Sequence, residues 1–247
     1  MGILLLLSHW PGSELSRYSE GNPRAGRLKK FLDNLDVSVD LILSINYLFL
    51  LEQDIIEYPK HYCLNIHGSL LPKYRGRTPH VWAIINNESV AGITMHIIDE
   101  GCDTGPIVGQ TEIDIPPDMT GGELLEQYRH QYPDLIRTVI AKLERDELAP
   151  KSQEESKATY FGKRTPADGE INWNWHKERI RNWVRAQADP YPGAFTYVGG
   201  KKITIDEVQY SDRGFSWDTA NGFRFWKRHQ VPLVKVPNGV LALNIVP

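Results

Sequence analysis

The chain has 247 residues, of which 41% are hydrophobic and 24% are charged. These fractions are typical of a globular protein and exclude a disordered, collagen-like or coiled-coil chain. The 28 Lys and Arg residues nearly balance 31 Asp and Glu residues, for a formal net charge of −3, so the overall charge does not favour nucleic acid as a partner. The two cysteines, Cys63 and Cys102, fit neither a disulfide framework nor a close-spaced zinc signature, and we expect no bound metal.

The first apolar run, residues 3–7, is far too short to span a membrane and lacks the basic flank of a signal peptide. We therefore expect a cytoplasmic protein that does not contact a membrane. Short apolar runs alternate with helical patterns in the first half of the chain, which favours an α/β domain with a largely parallel sheet. The predicted strands are Ile3–Leu7, Leu41–Ile45, Cys63–Ile66, Ala91–Ile98 and Ile107–Ile115. The predicted helices are Arg24–Leu35 and Pro79–Asn86, the second with Thr78 as its N-cap.

The clearest helical pattern begins at Thr120, which forms a capping-box pattern with Glu123. Apolar residues then recur on one face with the helical period of about 3.6 residues. They are Leu124, Leu125, Tyr128, Tyr132, Leu135, Ile136, Val139, Ile140 and Leu143. Pro133 lies within this pattern, and we expect it to kink or divide the helix.

The second half of the chain changes from helix to strand. A polar stretch, residues 151–158, is interpreted as a surface crossing, and a helical pattern with Ile180, Trp183 and Val184 on one face follows it. The Pro- and Gly-containing turn at residues 189–193 ends this helix. Four strands are then predicted: Ala194–Val198, Lys202–Val208, Leu233–Val236 and Val240–Val246. The pattern predicts an α/β domain over residues 1–188 and a small β-rich C-terminal subdomain over residues 189–247.

Potentially reactive polar residues are concentrated between Asn65 and Asp103. Asn65 and His67 close a predicted strand, and alternation places both side chains on the same side. Because open α/β sheets bind ligands beyond the carboxyl ends of their strands, we expect both side chains there. The next strand leads into the loop Asp-Glu-Gly-Cys-Asp-Thr-Gly, residues 99–105. If the two strands are neighbours, Asp103 approaches His67 and orients its imidazole.

An Asn, a His and an Asp together suit acyl transfer to an amine. The imidazole takes the proton of the amine, the carboxylate stabilises the imidazolium, and the amide N–H₂ holds the developing oxyanion. Cys102 has no partner at a known spacing, so we interpret it as a small packing residue rather than a nucleophile. Taken without further comparison, the same residues also fit a hydrogen-bonding structural histidine and a solvated acidic turn.

Two segments resemble the signature of the folate-dependent formyltransferases, which move a formyl group from N10-formyltetrahydrofolate to an amine. They are Asn-Ile-His-Gly-Ser-Leu-Leu-Pro-Lys-Tyr-Arg-Gly-Arg-Thr-Pro at residues 65–79 and Asp-Glu-Gly-Cys-Asp-Thr-Gly-Pro at residues 99–106. The resemblance implies a Rossmann-like formyltransferase domain with Asn65, His67 and Asp103 as catalytic residues and N10-formyltetrahydrofolate as co-substrate. It also implies a pterin pocket, for which the best positions are Tyr47, Leu48, Leu50, Asp99, Glu100 and Gly101.

Among the formyltransferase subfamilies, the sequence is most similar to the sugar N-formyltransferases. These enzymes act on nucleotide-linked amino-deoxysugars, the precursors of bacterial surface polysaccharides of the lipopolysaccharide O-antigen type. This resemblance is carried by residues 72–79 with Trp82, by residues 161–166 with Asp168 and Gly169, and by residues 184–195. It implies that Arg77, Arg164 and Arg185 pair with the diphosphate, since guanidinium forks match phosphate oxygens, and that Trp82 or Tyr191 stacks on the sugar or base. We also expect a homodimer.

Other subfamilies fit less well. Glycinamide ribonucleotide formyltransferases have a Gly-rich phosphate loop after the first strand, which residues 8–13 do not resemble. A formyltetrahydrofolate deformylase usually carries an N-terminal regulatory domain, which we do not expect here. A methionyl-tRNA formyltransferase-like enzyme, the alternative, carries a larger basic C-terminal domain, and an inactive sugar-nucleotide-binding module is a further possibility. Only 64 residues precede Asn65, so we expect part of the family's first sheet to be missing or rebuilt.

Overall fold

The computed structural model describes residues 3–7, 27–34, 38–45, 47, 50–224 and 232–245. Contacts within the chain divide it into two compact units. The first unit comprises Met1–Gly76, Gly92–Glu112 and His130–Tyr160, and the second comprises Arg77–Ala91, Ile113–Arg129 and Phe161–Pro247. The division of the chain into residues 1–188 and 189–247 stays a prediction.

The predicted strands and helices occur in the predicted order, together with four short elements that were not predicted: Gln53–Ile56, Arg75–Gly76, Tyr160–Phe161 and Gly222–Arg224. The strands are β1 (Ile3–Leu7), β2 (Leu41–Ile45), β3 (Tyr62–His67), β4 (Arg75–Gly76), β5 (Val90–Ile97), β6 (Ile107–Asp114), β7 (Tyr160–Phe161), β8 (Ala194–Val198), β9 (Lys201–Ser211), β10 (Gly222–Arg224), β11 (Leu233–Val236) and β12 (Gly239–Ile245). The helices are α1 (Arg27–Asp33), α2 (Gln53–Ile56), α3 (Pro79–Ile85), α4 (Gly121–Glu144) and α5 (Lys177–Ala186).

Most predicted ends differ from the observed ones by a residue or two, which is the usual scatter of element boundaries. The predicted helix Arg24–Leu35 corresponds to α1, and its residues 24–26 and 35 lie outside the described residues. Residues 8–26, Leu48 and Val246 lie outside them as well. Thr78 occupies the N-cap position of α3, but its side chain makes no capping hydrogen bond because its backbone adopts a left-handed conformation, with φ of 51°.

The first unit contains a five-stranded sheet in the order β1-β2-β3-β5-β6. Strands β1, β2 and β3 run parallel, and Leu41, Ile42 and Leu43 are buried, as expected for a strand covered on both faces. The predicted α/β fold is confirmed, but β5 runs antiparallel to β3. This strand starts beside the carboxyl end of β3, with Thr94 opposite His67, and runs back along it.

Helix α4 is the longest helix of the described residues. Thr120 Oγ1 accepts a hydrogen bond from the Glu123 N–H at 3.2 Å, and the Glu123 carboxylate accepts one from the Thr120 N–H at 2.8 Å, which confirms the capping box. Pro133 does not divide the helix, so that part of the prediction is wrong. Pro133 removes a single N–H donor, and the buried Leu135 and Val139 that follow it pack against the chain where Gly109 leaves room.

The second unit contains helices α3 and α5 and an antiparallel sheet in the order β10-β11-β12-β9-β8. This sheet confirms the predicted β-rich tail. In α5 the predicted apolar face is confirmed, because Ile180, Trp183 and Val184 are all buried. No helix in the described part of the chain is both long and apolar enough to cross a membrane.

Candidate active site

His67 ends β3, and its side chain is 7% exposed. Its Nε2 lies 2.8 Å from the carbonyl oxygen of Tyr74, and its Nδ1 lies 3.5 Å from Oδ1 of Asp103. A carbonyl only accepts hydrogen bonds, so Nε2 carries the proton and Nδ1 of the neutral imidazole is the acceptor. Burial lowers the pKa of His67, and this outweighs the opposite influence of Asp103 and the Tyr74 carbonyl. The neutral imidazole, with its lone pair toward Asp103, is therefore favoured.

Asp103 lies in the loop that follows β5. Its Oδ2 accepts a hydrogen bond from the Gly76 N–H at 2.9 Å, and its Oδ1 lies 3.5 Å from Nδ1 of His67 and 3.6 Å from Nε2 of His96. Burial opposes ionisation, but the nearby His67 and the Gly76 N–H on Oδ2 hold the pKa of the Asp103 carboxyl well below its usual range. Asp103 is thus an anion beside a neutral imidazole, and its predicted approach to His67 is confirmed.

Asn65 belongs to a row of side chains across three strands, opposite Ser44 on β2 and His96 on β5. The Ser44 hydroxyl donates to Asn65 Oδ1 at 3.1 Å, and Asn65 Nδ2 lies 3.2 Å from Nε2 of His96. Nδ1 of His96 lies 2.8 Å from the carbonyl of Ile97, which fixes its proton there and leaves Nε2 as an acceptor. These contacts set the orientation of the Asn65 amide and use one of its two N–H donors.

The loop that carries Asp103 needs glycine at two positions. Asp99 Oδ1 accepts hydrogen bonds from the Gly101 N–H at 3.1 Å and from the Thr104 hydroxyl at 2.6 Å. A Cβ on Gly101 would lie 2.0 Å from Thr104 Oγ1, and one on Gly105 would lie 1.9 Å from the carbonyl oxygen of Ile97. Any side chain at either position would therefore displace the loop.

Asn65 and His67 lie at the carboxyl end of β3, as expected, and His67 is the last residue of the strand. Both residues are paired within the sheet, Asn65 with His96 and His67 with Thr94. The cause is the antiparallel direction of β5, which extends the pairing to the last residue of β3. The loop that follows β5 then brings Asp103 to the His67 imidazole.

The two cysteines have different environments. Cys63 is buried, and burial raises the pKa of its thiol to about 12. Cys102 is exposed, with Sγ 3.6 Å from Asp103 Oδ2. The interpretation of Cys102 as a packing residue is therefore wrong, because its side chain is exposed.

All but one of the residues predicted to line a pterin pocket lie in the described part of the chain. Tyr47 packs, half-buried, against a cluster of Leu32, Val39, Ile42, Ile55 and Cys63, and burial raises its pKa. Ile98, which directly precedes the Asp99 loop, packs against the same cluster. Asp99, Glu100 and Gly101 are exposed, and Leu50 is 61% exposed. Leu48 lies outside the described residues.

In the second unit, Arg164 lies between two indole rings. Its guanidinium carbon is 5.0 Å from the ring centre of Trp82 and 4.2 Å from that of Trp183. Its Nη2 donates to the carbonyl of Asp168 at 2.9 Å and to Gln187 Oε1 at 2.8 Å. The structure therefore brings the predicted pair Trp82 and Arg164 together.

The remaining predicted sugar-nucleotide residues of the second unit have separate surroundings. Arg185 is buried, and its Nε and Nη1 donate to Asn182 Oδ1 at 2.8 Å and to the carbonyl of Met119 at 2.6 Å. The Tyr191 hydroxyl is hydrogen-bonded to Nε2 of His80. The Arg77 side chain is exposed. Arg185 thus uses its Nε and Nη1 donors within the protein, whereas the Arg77 side chain is exposed to solvent.

Two contributors to the site were not predicted from the sequence. His96 is linked to both Asn65 and Asp103, and only the pairing of β3 with β5 shows this. Gln153 contacts the backbone of Asp103 from a stretch interpreted as a surface crossing. Among the described residues, no group of three or more His, Cys, Asp or Glu side chains is arranged to hold a metal ion.

Comparison with known families identifies the chain. A family model described as "Formyl transferase" matches residues 7–140, and one described as "Formyl transferase, C-terminal domain" matches residues 163–244. The chain belongs to the formyl transferase family. The formyltransferase domain that the sequence motifs imply is confirmed, and residues 163–244 match the family's C-terminal domain.

Solved structures share the fold of this formyltransferase. The N-formyltransferase from Helicobacter canadensis in complex with folinic acid and dTDP-3-aminofucose is 21% identical, with a TM-score of 0.68 over 86% of this chain and 76% of that one. HypX from Aquifex aeolicus in complex with tetrahydrofolic acid is 17% identical, with a TM-score of 0.69 over 98% of this chain but only 43% of that one. Methionyl-tRNA formyltransferase from Clostridium thermocellum is 21% identical, with a TM-score of 0.58 over 84% of this chain and 78% of that one.

Proposed function

We propose that this formyltransferase transfers the formyl group of N10-formyltetrahydrofolate to the amine of a nucleotide-linked amino-deoxysugar. The observation that carries the proposal is the convergence of the Asn65 amide, the neutral His67 imidazole and the Asp103 carboxylate in one site. In a formyltransferase these groups match the needs of acyl transfer to an amine. The product would be a precursor of bacterial surface polysaccharide, made in the cytoplasm.

The folate side of the proposal is supported by the surroundings of Tyr47 and Ile98. A pterin needs a partly apolar wall and a few backbone groups for its polar edge. Tyr47 and Ile98 provide the apolar wall, since both pack against one buried cluster, and the exposed backbone from Asp99 to Gly101 provides the polar edge. Both the Helicobacter canadensis enzyme and HypX have structures with folate compounds bound. When bound, N10-formyltetrahydrofolate would supply the electrophilic formyl carbon.

His67 would act as the general base for the amine. Nε2 holds its proton on the Tyr74 carbonyl, so Nδ1 is the atom that accepts the proton of the attacking amine. The lowered pKa keeps His67 neutral and able to accept that proton. Once protonated, Nδ1 faces Asp103 Oδ1, 3.5 Å away, and the two charges stabilise each other. The proton would then pass to N10 of the departing tetrahydrofolate as the bond between N10 and the formyl carbon breaks.

Asn65 would hold the negative charge that develops on the formyl oxygen. His96 uses one N–H of the Asn65 amide, and the second N–H is the donor for the oxyanion. The Ser44 hydroxyl on Asn65 Oδ1 prevents the amide from turning its oxygen toward that charge. Removing one such donor typically costs on the order of 10²–10³ in turnover.

On the acceptor side, Arg77 and Arg164 would bind the diphosphate, and Trp82 would stack on the sugar or base. Arg77 is exposed, and Arg164 keeps guanidinium N–H groups beyond the Nη2 that bonds Asp168 and Gln187. Tyr191, whose hydroxyl is hydrogen-bonded to Nε2 of His80, stays a proposed stacking residue. Arg185, whose Nε and Nη1 donate to Asn182 and Met119, would support the fold of the second unit instead.

A sugar acceptor is preferred to methionyl-tRNA for two reasons. The formal net charge of −3 offers no general attraction for RNA. The fold also agrees better with the N-formyltransferase in complex with dTDP-3-aminofucose, at a TM-score of 0.68, than with methionyl-tRNA formyltransferase, at 0.58. The homodimer expected from the sequence stays part of the proposal.

The deciding experiment is an acceptor panel. The protein is incubated with N10-formyltetrahydrofolate and, separately, with dTDP-, UDP- and GDP-linked amino-deoxysugars and with methionyl-tRNA. Mass spectrometry should show the gain of one formyl group on a nucleotide-linked sugar and no gain without the folate, and the gain should be on the order of 10²–10³-fold slower with the Asn65→Ala variant. Formylation of methionyl-tRNA alone would refute the proposed acceptor.

A further inference from the structure

Gln153 connects two parts of the first unit that hold the site. Its Nε2 donates to the carbonyl of Asp103 at 2.9 Å and to that of Gly105 at 2.7 Å. Its Oε1 accepts from Nε of Arg75 at 3.2 Å and from Nη2 at 2.9 Å. The amide of Gln153 therefore donates hydrogen bonds to the loop of Asp103 and accepts hydrogen bonds from Arg75.

Arg75 is a rigid anchor for this amide. Its side chain is fully buried, and its Nη1 donates to both carboxylate oxygens of Glu155, at 3.1 and 2.9 Å, and to the hydroxyl of Tyr160. The charge of the buried guanidinium is thus compensated, which fixes its position. The backbone N–H of Arg75 also donates to the carbonyl of Thr159 at 2.8 Å.

The residues on either side of Arg75 each bind one of the proposed catalytic groups. The carbonyl of Tyr74 holds Nε2 of His67, and the N–H of Gly76 holds Oδ2 of Asp103. Together with Gln153 they close a ring that runs from the Asp103 carboxylate to Gly76, through the Arg75 side chain to Gln153, and back to the Asp103 carbonyl. Asp103 has φ of 57°, a left-handed conformation that a non-glycine residue seldom adopts without such support.

We propose that Gln153, anchored by Arg75, is a positioning residue that fixes Asp103 relative to His67. The inference rests on the proposed function, in which Asp103 supports protonated His67. Gln153 touches neither His67 nor any reacting atom, so it acts through Asp103. Without its amide donors the carbonyls of Asp103 and Gly105 lose their partner, and the carboxylate moves away from the imidazole.

The test uses Gln153→Met, which keeps the length of the side chain and removes its amide. We expect turnover to fall up to about 10²-fold, as small misplacements of catalytic groups do, with the KM of both substrates changed by less than about threefold. The titratable groups recorded beside His67 are Asp103 and His96, and the nearby Asp103 raises the pKa of His67. When Asp103 moves away, the NMR titration midpoint of His67 should therefore shift to lower pH, together with the acid limb of the rate profile.

Gln110→Met is the matched control. The Nε2 of Gln110 also donates to two acceptors of the first unit, the carbonyl of Leu71 and Oγ1 of Thr94, but it does not contact Asp103. This variant should lose stability without moving the titration of His67. In an Asp103→Ala background, Gln153→Met should lower turnover by less than about twofold further, because its effect is transmitted by Asp103.

Several outcomes would overturn the proposal. They are full turnover of Gln153→Met, an unchanged His67 titration in this variant, or a double variant whose loss of turnover is the full product of the losses in Gln153→Met and Asp103→Ala. If Gln153→Met does not fold, Gln153→Glu keeps the acceptor for Arg75, and the same turnover and double-variant criteria apply. If the wild-type protein formylates no acceptor of the panel, the proposed function fails. The His67 titration needs no substrate and still decides the role of Gln153.

Discussion

Nδ1 of His67 faces Oδ1 of Asp103 across 3.5 Å, an acceptor opposite an acceptor while the imidazole is neutral. The Tyr74 carbonyl enforces this arrangement because it holds the imidazole proton on Nε2. The pair is therefore prepared for a proton that arrives during the reaction. It becomes a charge-assisted hydrogen bond only after that proton has been accepted.

The buried His67 should make stability depend on pH. The pKa of His67 is lowered in the folded protein, whereas an unfolded histidine titrates near about 6.5. Below about pH 6.5 the unfolded state binds more protons than the folded state, so the free energy of unfolding falls as the pH falls. One such group contributes at most about 1.4 kcal/mol per pH unit. Urea titrations between pH 5 and 8 should show this slope, and His67→Gln should reduce it.

Asp103 affects the free energy of unfolding at lower pH than His67 does. Its folded pKa is depressed, so its contribution is present above the unfolded value of about 3.9 and is lost as the pH falls toward the folded value. The Asp103→Asn variant should therefore leave the slope above pH 5 largely in place. If that slope disappears in Asp103→Asn but persists in His67→Gln, the assignment of the two windows is wrong.

The Asn65→Ala variant should lose on the order of 10²–10³ in turnover, because it removes the proposed donor to the formyl oxygen. Steady-state kinetics with the responsive acceptor measures this loss, and the KM of the folate should change little. Asn174→Ala, at an exposed amide that accepts a hydrogen bond from Asn221, is the control and should keep full activity. Full activity of Asn65→Ala would remove Asn65 from the mechanism.

Much of the fold could be predicted from the sequence because apolar runs and caps are local signals. The strands around Leu41–Ile45, the capping box of Thr120 and the apolar face of α5 all depend on residues close in the chain. The direction of β5 could not be predicted in this way. It is set by pairing with β3 over a long separation, and this pairing also determines where Asn65 and His67 lie.

The candidate site was predictable to the extent that its motifs are contiguous. Asn65, His67 and Asp103 lie within two short segments with a recognisable resemblance. His96 and Gln153 carry no such signal, because their importance comes from contacts over 31 and 50 residues, with Asn65 and Asp103 respectively. Side chains whose role is to hold another residue become visible only when the contacts are known.

The two thiols should differ sharply in reactivity. Cys102 is exposed, whereas burial raises the pKa of Cys63 to about 12 and keeps it protonated. A thiol reagent should therefore label Cys102 in the native protein and both cysteines in denaturant. Because Sγ of Cys102 lies 3.6 Å from Oδ2 of Asp103, a bulky label should also block formyl transfer. The Cys102→Ser variant should stay active and resist the reagent, and its inactivation by the reagent would contradict this explanation.

The arginines proposed from the resemblance should separate into a binding and a structural class. In Arg185→Leu, the Met119 carbonyl and Asn182 Oδ1 lose their donor, so the free energy of unfolding should fall by about 1–3 kcal/mol. In Arg77→Ala, an exposed residue, the free energy of unfolding should fall by less than in Arg185→Leu, while the KM of the nucleotide sugar should rise about tenfold or more through the loss of a charge-assisted hydrogen bond. Arg145→Ala, at an exposed arginine near Glu147, controls for the loss of one positive charge. Urea unfolding and steady-state kinetics on the three variants make the distinction. A stable Arg185→Leu with a raised KM would return Arg185 to the binding class, because only contact with the diphosphate would then explain its effect.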